Sequence, residues 1–192
     1  MKIENLSFSY LDKEIKKVVF DGLNLHTDSR IICLMGPSGC GKTTLLHILA
    51  GILKPASGTV EDFPAKVSVM FQEDRLLTWL NAYENVALVM DGKLAHWKGQ
   101  EDTAAGLLRR LDIDPAMDIG SMSGGMKRRV SLARALAFAS DALLLDEPFK
   151  GMDEDLMQRA ADLIREQKKI TIVSTHSEAE AKALGAEILR LS

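Results

Sequence analysis

The segment from Gly36 to Thr43 has the residue types and the spacing that bind phosphate. It reads GPSGCGKT, with a lysine and a threonine directly after its last glycine. Glycines let the backbone wrap an anion without Cβ clashes, so successive N–H groups can point inward. Lys42 can bridge the β- and γ-phosphate oxygens of a nucleoside triphosphate, and the Thr43 hydroxyl can ligate Mg²⁺. A glycine-rich turn with an incidental lysine is disfavoured, because a predicted strand precedes the segment and a predicted helix follows it.

Two adjacent carboxylates, Asp146 and Glu147, follow the apolar run 142–145. A strand that ends in a carboxylate places charge at the carboxyl edge of a parallel sheet, where nucleotides bind in such folds. We predict that Asp146 belongs to the Mg²⁺ shell and that Glu147 polarises the attacking water. Such a pair is often a solvated turn when it stands alone. It indicates a nucleotide site here because the phosphate-binding segment is present in the same chain.

A second anion-binding element is formed by Ser123, Gly124 and Gly125, at the start of a predicted helix. One nucleotide does not need two phosphate cradles, so the second cradle predicts a nucleotide supplied by another subunit. Gln72 and His176 each follow a predicted strand and are expected at the same sheet edge as the phosphate-binding segment. Either of them alone could be a loop residue in contact with solvent.

The elements that must position these residues are apolar strands that alternate with helices, which predicts a mainly parallel sheet covered on both faces. The first thirty residues alternate in polarity and predict two or three short strands, paired antiparallel around the charged turn Leu11–Lys17. Asn81 with Glu84 and Ser177 with Glu180 have the spacing of capping boxes. The predicted strands are 31–35, 67–70, 142–145, 170–174 and 187–191, and the helical segments are 42–50, 81–111, 126–139, 153–167 and 177–184.

The composition predicts one globular α/β domain, because 46% of the 192 residues are hydrophobic and 27% are charged. A net charge of −3 gives no reason to expect nucleic acid or an anionic membrane surface as a partner. Cys33 and Cys40 are too few for a disulfide framework or a zinc site. The start of the chain has no apolar signal core, so we expect a cytosolic protein.

Taken together, these motifs resemble the ATPase domain of ABC transporters, and the resemblance runs from Met1 to Ser192. GPSGCGKTT resembles the Walker A motif, ALLLDEP the Walker B motif, MSGGM the signature, GMD the D-loop and STHSEAEA the H-loop. Gln72 corresponds to the Q-loop, and Tyr10 falls where the family places an aromatic residue that stacks on adenine. The resemblance implies an α/β fold with a P-loop NTPase core, a mainly parallel sheet, a small N-terminal antiparallel β subdomain and an inserted helical lobe. It implies a single domain over 1–192, with the lobe at about 75–135.

The same resemblance implies hydrolysis of ATP with Mg²⁺ in a head-to-tail dimer. ATP would lie between the phosphate loop of one subunit and the signature of the other; a second copy is the expected partner, although a different chain is left open. The implied catalytic residues are Glu147, His176, Lys42 and Gln72, and the implied Mg²⁺ ligands are Thr43, Gln72 and Asp146. The implied nucleotide contacts are Tyr10, Gly36, Pro37, Ser38, Gly39, Cys40, Gly41, Lys42, Thr43, Thr44, Gln72, Ser123, Gly124, Gly125 and Asp153.

Two positions depart from the family pattern. Met126 replaces the glutamine of the signature, which removes the hydrogen bonds of that side chain but leaves the Ser-Gly-Gly core. Lys150 stands where the D-loop usually begins with a small residue, which leaves the geometry between subunits there open.

The segment FQEDRLLTWLNAYENV, which begins at Phe71, is similar to a segment of the ATPases that serve nitrate, sulfonate and taurine importers. Its apolar residues could pack the helical lobe on the core or receive a helix of a permease. We therefore expect the motor subunit of an importer, peripheral at the inner face of the membrane through permease subunits. A solute-binding protein is an indirect partner, and no nucleic acid is expected.

The alternative is an ABC-type ATPase of DNA repair or translation. A repair ATPase would need a long coiled-coil insertion between Gln72 and Ser123, and a translation ATPase would carry two such domains in one chain. A small-molecule kinase would leave MSGGM, the acidic pair and His176 unexplained.

Overall fold

Two β-sheets organise the chain in the computed structural model, which describes residues 1–12, 15–90 and 104–191. The strands are β1 (Lys2–Asp12), β2 (Ile15–His26), β3 (Ile31–Met35), β4 (Ser57–Glu61), β5 (Val67–Met70), β6 (Ala142–Asp146), β7 (Ile170–Ser174) and β8 (Glu187–Arg190). Five of them form a parallel sheet in the order β5-β6-β7-β3-β8. The other three form an antiparallel sheet in the order β2-β1-β4. The predicted α/β fold with a mainly parallel sheet is confirmed.

The helices follow the strands of the parallel sheet or lie between β5 and β6. They are α1 (Lys42–Leu49), α2 (Ala82–Ala87), α3 (Ala104–Arg110), α4 (Gly124–Ala137), α5 (Glu154–Glu166) and α6 (Glu178–Leu184), with a short 3₁₀ turn at Ile119–Ser121. Within the described ranges, no helix is both long and apolar enough to cross a bilayer.

Both faces of the parallel sheet are covered, and β3 shows this residue by residue. Ile32 and Leu34 pack in one hydrophobic cluster with α1 and the antiparallel sheet. Cys33, between them in sequence, packs in the other cluster with the helices from α2 to α6. Successive side chains of a strand point to opposite faces, so a strand buried on both faces is apolar throughout, as the run IICLM is.

The antiparallel sheet differs from the prediction in two respects. The ladder of β1 and β2 continues to the pair Asp12 and Ile15, so the predicted turn Leu11–Lys17 was too long. Its third strand, β4, was missed because the sequence SGTVE lacks an apolar alternation and lies mostly exposed. Gly58 allows β4 to lie close to β1, since a Cβ at that position would be 2.5 Å from the carbonyl oxygen of Asn5.

The helices α2, α3 and α4 contact one another, while the lobe boundary at about 75–135 and the single-domain span stay predictions. Of the predicted helical stretch 81–111, residues 91–103 lie outside the described part of the chain. The capping box at Asn81 is confirmed: the Glu84 amide donates to Asn81 Oδ1 over 2.9 Å, and the Asn81 amide donates to Glu84 Oε2 over 2.9 Å. Ser177 forms only half of a box, because the Glu180 carboxylate accepts from the Thr175 hydroxyl instead.

A buried asparagine holds the segment that joins β5 to α2. Asn85 is fully buried; its side-chain amide donates to Leu77 O over 3.0 Å, and its Oδ1 accepts from the Leu77 amide over 2.8 Å. The same amide donates to Asn81 O over 2.9 Å. These bonds satisfy backbone groups that have no ladder partner and fix the loop after Gln72.

Candidate functional site

A cleft of about 260 Å³ lies at the carboxyl ends of β3, β5, β6 and β7. Polar side chains that follow different strands meet there because parallel strands end at the same edge of the sheet. Most of the predicted site residues line this cleft. The lining residues are Tyr10, Lys17, Val19, Ser38, Gly39, Gly41, Lys42, Thr43, Thr44, Gln72, Asp146, Glu147 and His176.

The phosphate-binding segment forms the turn between β3 and α1. Lys42 is buried, and its Nζ donates to Gly36 O over 2.8 Å and to Pro37 O over 3.1 Å, so that the cation spans the loop. Gly41 has a φ of 102°, and a Cβ there would lie 2.6 Å from the Phe20 ring. Only glycine fits this position without a shift, because β2 packs directly against the loop.

Asp146 is bonded to hydroxyl groups from two neighbouring elements. The Thr43 hydroxyl donates to Asp146 Oδ2 over 2.7 Å, and the Ser174 hydroxyl donates to Oδ1. A carboxylate and a hydroxyl held together are the hard oxygen ligands that Mg²⁺ prefers, so the residues fit the predicted metal. No larger His, Cys, Asp or Glu cluster is arranged for a metal in the described residues. Phosphate oxygens and water would therefore complete the shell, as is usual for Mg²⁺ bound with a nucleotide.

Glu147 is held in an unusual backbone conformation next to His176. Its φ is 50°, and its amide donates to Ser174 O over 3.1 Å and to Ser174 Oγ over 3.0 Å. Its Oε1 lies 3.2 Å from His176 Nε2, and its Oε2 lies 3.9 Å from Lys150 Nζ. Left-handed backbone at a non-glycine residue persists where surrounding contacts enforce it, and such positions cluster at functional sites. The geometry holds the carboxylate at the edge of the cleft, where a water molecule can reach it.

Tyr10 lines the cleft as well and is 41% exposed. Its hydroxyl lies 3.3 Å from Thr44 Oγ1, and its ring packs edge to face on Phe8 with centroids 4.9 Å apart. An exposed aromatic ring fixed in this way can stack on a planar base. Lys17 and Val19 of β2 also line the cleft and were missed, because the predicted turn covered Lys17 and left its pairing with Tyr10 unrecognised.

The remaining predicted residues do not line the cleft. Gly36, Pro37 and Cys40 belong to the phosphate-binding loop, and Asp153 caps α5 by accepting from the Leu156 amide over 2.9 Å. The residues 123–125 form the start of α4, where Ser123 Oγ accepts from the Met126 amide over 3.3 Å. Gly125 lies beside the turn at Gly151, since a Cβ on it would be 3.3 Å from Gly151 O.

Arg128 is the cleft-supporting residue that the sequence interpretation missed. It is buried under the site and donates to backbone carbonyls after β5 and β6. A signal for it exists in the helical periodicity: Arg128, Leu132 and Ala135 follow at i, i+4 and i+7, so the arginine falls on the buried stripe of α4.

A second carboxylate, Glu180, lines a smaller cavity together with Glu147 and His176. Burial raises the pKa of the Glu180 carboxyl; the Thr175 hydroxyl that donates to it lowers the pKa, the charge of Glu147 raises it, and His176 lowers it. Burial, with the charge of Glu180, also raises the pKa of the Cys33 thiol to about 12. Because a carboxyl with a raised pKa favours its neutral form in the folded protein, its contribution to stability is present at low pH. That contribution is lost as the pH rises through the raised pKa.

We therefore expect Glu180→Gln to raise the midpoint of thermal unfolding at pH 8, with a gain that shrinks towards pH 4. Glutamine removes the buried charge and keeps an oxygen that accepts from Thr175. The measurement is circular dichroism during heating at pH 4, 6 and 8. Glu178→Gln is the matched control, because Glu178 is an exposed carboxylate on the same helix. A gain of equal size at all three pH values would contradict the expectation.

The fold and the cleft together define a class, the P-loop nucleoside triphosphatases. A glycine-rich turn enters a helix after a buried strand, and a carboxylate at the end of another parallel strand is bonded to the threonine of that turn. This combination is typical of proteins that bind the phosphates of a nucleotide.

Comparison with known proteins identifies the family within this class. The sequence profile described as ABC transporter matches residues 21–150, and the chain therefore belongs to the ABC transporter family. The bicarbonate transport ATP-binding protein CmpD of Synechocystis sp. is 33% identical, over 100% of this chain and 74% of that protein. The taurine import ATP-binding protein TauB of Pseudomonas aeruginosa is 34% identical, over 97% of this chain and 76% of that protein.

A third relative and a solved structure belong to the same family. The aliphatic sulfonates import ATP-binding protein SsuB 1 of Pseudomonas savastanoi pv. phaseolicola is 38% identical, over 89% of this chain and 73% of that protein. A dimeric ATP-binding cassette in a post-hydrolysis state, bound to ADP and Pi, has a TM-score of 0.83 and 26% identity, and covers 100% of this chain and 94% of its own. The predictions of an ABC-type fold and of an ATPase that serves a transporter are confirmed, and the non-transport alternative is not supported.

Proposed function

We propose that the chain is the ATP-hydrolysing motor subunit of an importer, and that two such subunits act as a head-to-tail pair on membrane permease subunits. The observation that carries this proposal is the meeting of Lys42, Thr43, Asp146, Glu147 and His176 in one cleft. The anion-binding start of α4 lies outside that cleft. The pair would work at the cytoplasmic face of the membrane, with a solute-binding protein as a further partner of the permease.

The chemistry assigned to the cleft is attack of water on the γ-phosphorus of ATP. Lys42 would bind β- and γ-phosphate oxygens, and Tyr10 would stack on adenine. Thr43 and Asp146 would hold Mg²⁺ with Gln72, and the metal when bound would neutralise charge on the phosphates. Glu147 would orient the water and accept its proton as the new P–O bond forms. The bond to the β-phosphate oxygen breaks, and ADP and phosphate leave.

His176 is proposed to stabilise charge on the transferring phosphoryl group. Its Nε2 lies 3.2 Å from Glu147 Oε1, so the two side chains hold each other at the edge of the cleft. A preorganised donor aimed at developing charge is the kind of contact that lowers a phosphoryl-transfer barrier.

The pairing of two subunits is supported by the position of residues 123–125. Ser123 and Gly124 are exposed at the N-terminus of α4, which is fourteen residues long and directs a positive dipole end to solvent. Because the cleft that contains Lys42 is lined without them, we propose that they bind the nucleotide of the other subunit. Gly151, which lies near Gly125, and Asp153, two residues after it, would lie at the same contact.

Import as the direction of transport is supported by relatives named for import, TauB and SsuB 1, that match almost the whole chain. The segment after Gln72 supports a permease contact, since Trp79 is 77% exposed while Leu76 and Tyr83 pack against the core. An exposed tryptophan at the edge of a packed apolar segment is typical of a protein-binding surface. The segment therefore contains residues for both expected roles. Leu76 and Tyr83 pack against the core, and Trp79 is exposed for contact with a permease.

If two subunits pair head to tail, a substitution in the signature should abolish ATP-dependent dimerisation without affecting ATP binding by the same chain. In a Glu147→Gln background, which is expected to retain ATP, the further change Ser123→Arg should leave ATP binding intact and abolish ATP-dependent dimerisation. The added side chain would fill the space for the partner's γ-phosphate, whereas the cleft of the same chain is lined by other residues. The measurements are light scattering after size exclusion, with ATP or ADP, and titration with a fluorescent ATP analogue.

Ser121→Arg is the matched control for this test, because Ser121 is exposed on the same approach to α4 but precedes the helix cap. It should dimerise with ATP as the background does. Loss of ATP binding in the Ser123 variant, or dimerisation that survives it, would contradict the head-to-tail arrangement.

A further inference from the structure

Arg128 lies on the second turn of α4, with its guanidinium buried beneath the candidate site and only 4% exposed. A buried guanidinium is unfavourable unless its charge is balanced and its donors are satisfied. Every acceptor that it has in the described residues lies in one of two segments, the one that follows β5 and the one at the end of β6.

The first segment contains Gln72. Arg128 Nη1 donates to Phe71 O over 2.7 Å, to Gln72 O over 3.0 Å and to Asp74 Oδ1 over 3.1 Å. Asp74 supplies the balancing negative charge, and its side chain is largely buried as well. The backbone that carries the Gln72 side chain into the cleft is thus held by one rigid group.

The second segment contains Glu147. Arg128 Nε donates to Glu147 O over 3.2 Å, and Nη2 donates to Asp146 O. Glu147 has its backbone in the left-handed region, a conformation that needs external contacts to persist. Arg128 holds the carbonyl of Glu147, and Ser174 holds its amide.

We propose that Arg128 is a positioning residue for ATP hydrolysis, which holds the backbone of Gln72 and of Glu147 at a fixed spacing. The planar guanidinium has donors at fixed angles, so it sets the distance between the two segments as well as binding each of them. Gln72 and Glu147 thereby reach the same γ-phosphate and water. This inference rests on the proposed function at one point, which is that these two side chains act on ATP.

Arg134 offers a matched control on the same helix. Its Nη1 donates to Arg75 O and its Nη2 donates to Asp74 O, both over 2.8 Å. It therefore makes the same type of bond to the same loop after β5. Among the described residues it donates to neither Asp146 nor Glu147, so it ties the loop to α4 without joining the two segments.

The test compares Arg128→Gln with Arg134→Gln in the purified chain, with kcat and the Kd for ATP measured separately. Arg128→Gln should lower kcat by about tenfold to a hundredfold, the loss expected when a reacting group shifts by about 1 Å. Its Kd for ATP should change little, because Lys42 and Tyr10 are untouched. Arg134→Gln should keep kcat close to that of the wild type. Denaturant unfolding of both variants verifies that each is folded under the assay conditions.

A double-mutant cycle with Glu147→Gln separates positioning from general stability. If Arg128 acts in part through Glu147, the fold-loss in kcat caused by Arg128→Gln should be smaller in the Glu147→Gln background than in the wild type, and the loss that remains is its effect on Gln72. Additive losses, a wild-type kcat in Arg128→Gln, or equal losses in the two arginine variants would each overturn the proposal.

If Arg128→Gln does not fold, Arg128→Lys carries the test. A single ammonium group cannot span both segments, so kcat should fall, and a wild-type kcat would overturn the proposal. A wild-type chain without ATPase activity would overturn the proposed function and this inference together. An active wild type with an equally active Arg128 variant overturns the inference alone.

Discussion

Replacing Glu147 with glutamine is expected to slow ATP hydrolysis by about a hundredfold or more, the usual contribution of a general base. The Kd for ATP should change little, because the loop that holds the phosphates is separate from Glu147. Glu147 Oε1 lies 3.2 Å from His176 Nε2. Glutamine keeps the size of the side chain and an oxygen that can accept from His176, but it cannot take the proton of water. Phosphate release and equilibrium binding of ATP, measured on the same preparation, give the two quantities.

Glu73→Gln is the control for the Glu147 variant. Glu73 is an exposed carboxylate next to Gln72 and pairs loosely with Arg75 over 3.6 Å. It carries the same charge near the same cleft without lining it, so its variant should hydrolyse ATP at the wild-type rate. If Glu147→Gln hydrolyses ATP as the wild type does, Glu147 has no role as the base.

Much of the cleft could be predicted because Gln72, Asp146, Glu147 and His176 lie at the end of a buried strand or within two residues of it. The strands 31–35, 67–70 and 170–174 were predicted to the residue, since each is an apolar run bounded by turn or charged residues. Parallel strands bring their carboxyl ends to one edge, so the order of the motifs in the sequence already implies that Gln72, Asp146 and His176 meet. The roles of these side chains stay predictions until they are measured.

The contacts beneath the cleft could not be predicted, because they depend on packing between elements far apart in sequence. Arg128 is 18 or more residues from each of its acceptors. The helical periodicity places it on the buried stripe of α4 but does not say which carbonyls it meets, and the neighbouring Arg129 donates instead to Leu111 O and Asp112 O. Glu180 illustrates the same limit. Its capping-box spacing with Ser177 is genuine, but the carboxylate bonds to Thr175 because that hydroxyl is fixed at the end of β7.

The packing of the phosphate loop against β2 could not be predicted from the sequence either. The glycine pattern predicts a tight turn wherever it occurs, but it does not say what the turn packs against. Gly41 must be glycine because Phe20 and Val19 lie within 2.7 Å of any Cβ at that position. The N-terminal strands therefore support the loop as well as presenting Tyr10, which ties the small antiparallel sheet to nucleotide binding.

Replacing Lys42 with alanine is expected to weaken ATP binding by about tenfold to a hundredfold, which corresponds to one or two charge-assisted hydrogen bonds. Lys42 is buried and bonded to the carbonyls of Gly36 and Pro37, so its ammonium group is held over the loop that would receive the phosphates. Its removal takes away the positive charge and also a link across the loop. Isothermal titration with ATP and with AMP measures the effect.

The comparison of the two nucleotides decides where Lys42 acts. If its contact is with the β- and γ-phosphates, the Kd for ATP should rise much more than the Kd for AMP, whose single phosphate lies outside that contact. Lys54→Ala removes an exposed lysine shortly after α1 and should leave both values unchanged. An equal rise in the Kd for ATP and the Kd for AMP would instead show that the loop had collapsed. An unchanged Kd for ATP would exclude Lys42 from phosphate binding. Because Glu147→Gln should lower kcat at constant affinity and Lys42→Ala should lower affinity first, the two variants together separate the binding of ATP from its hydrolysis.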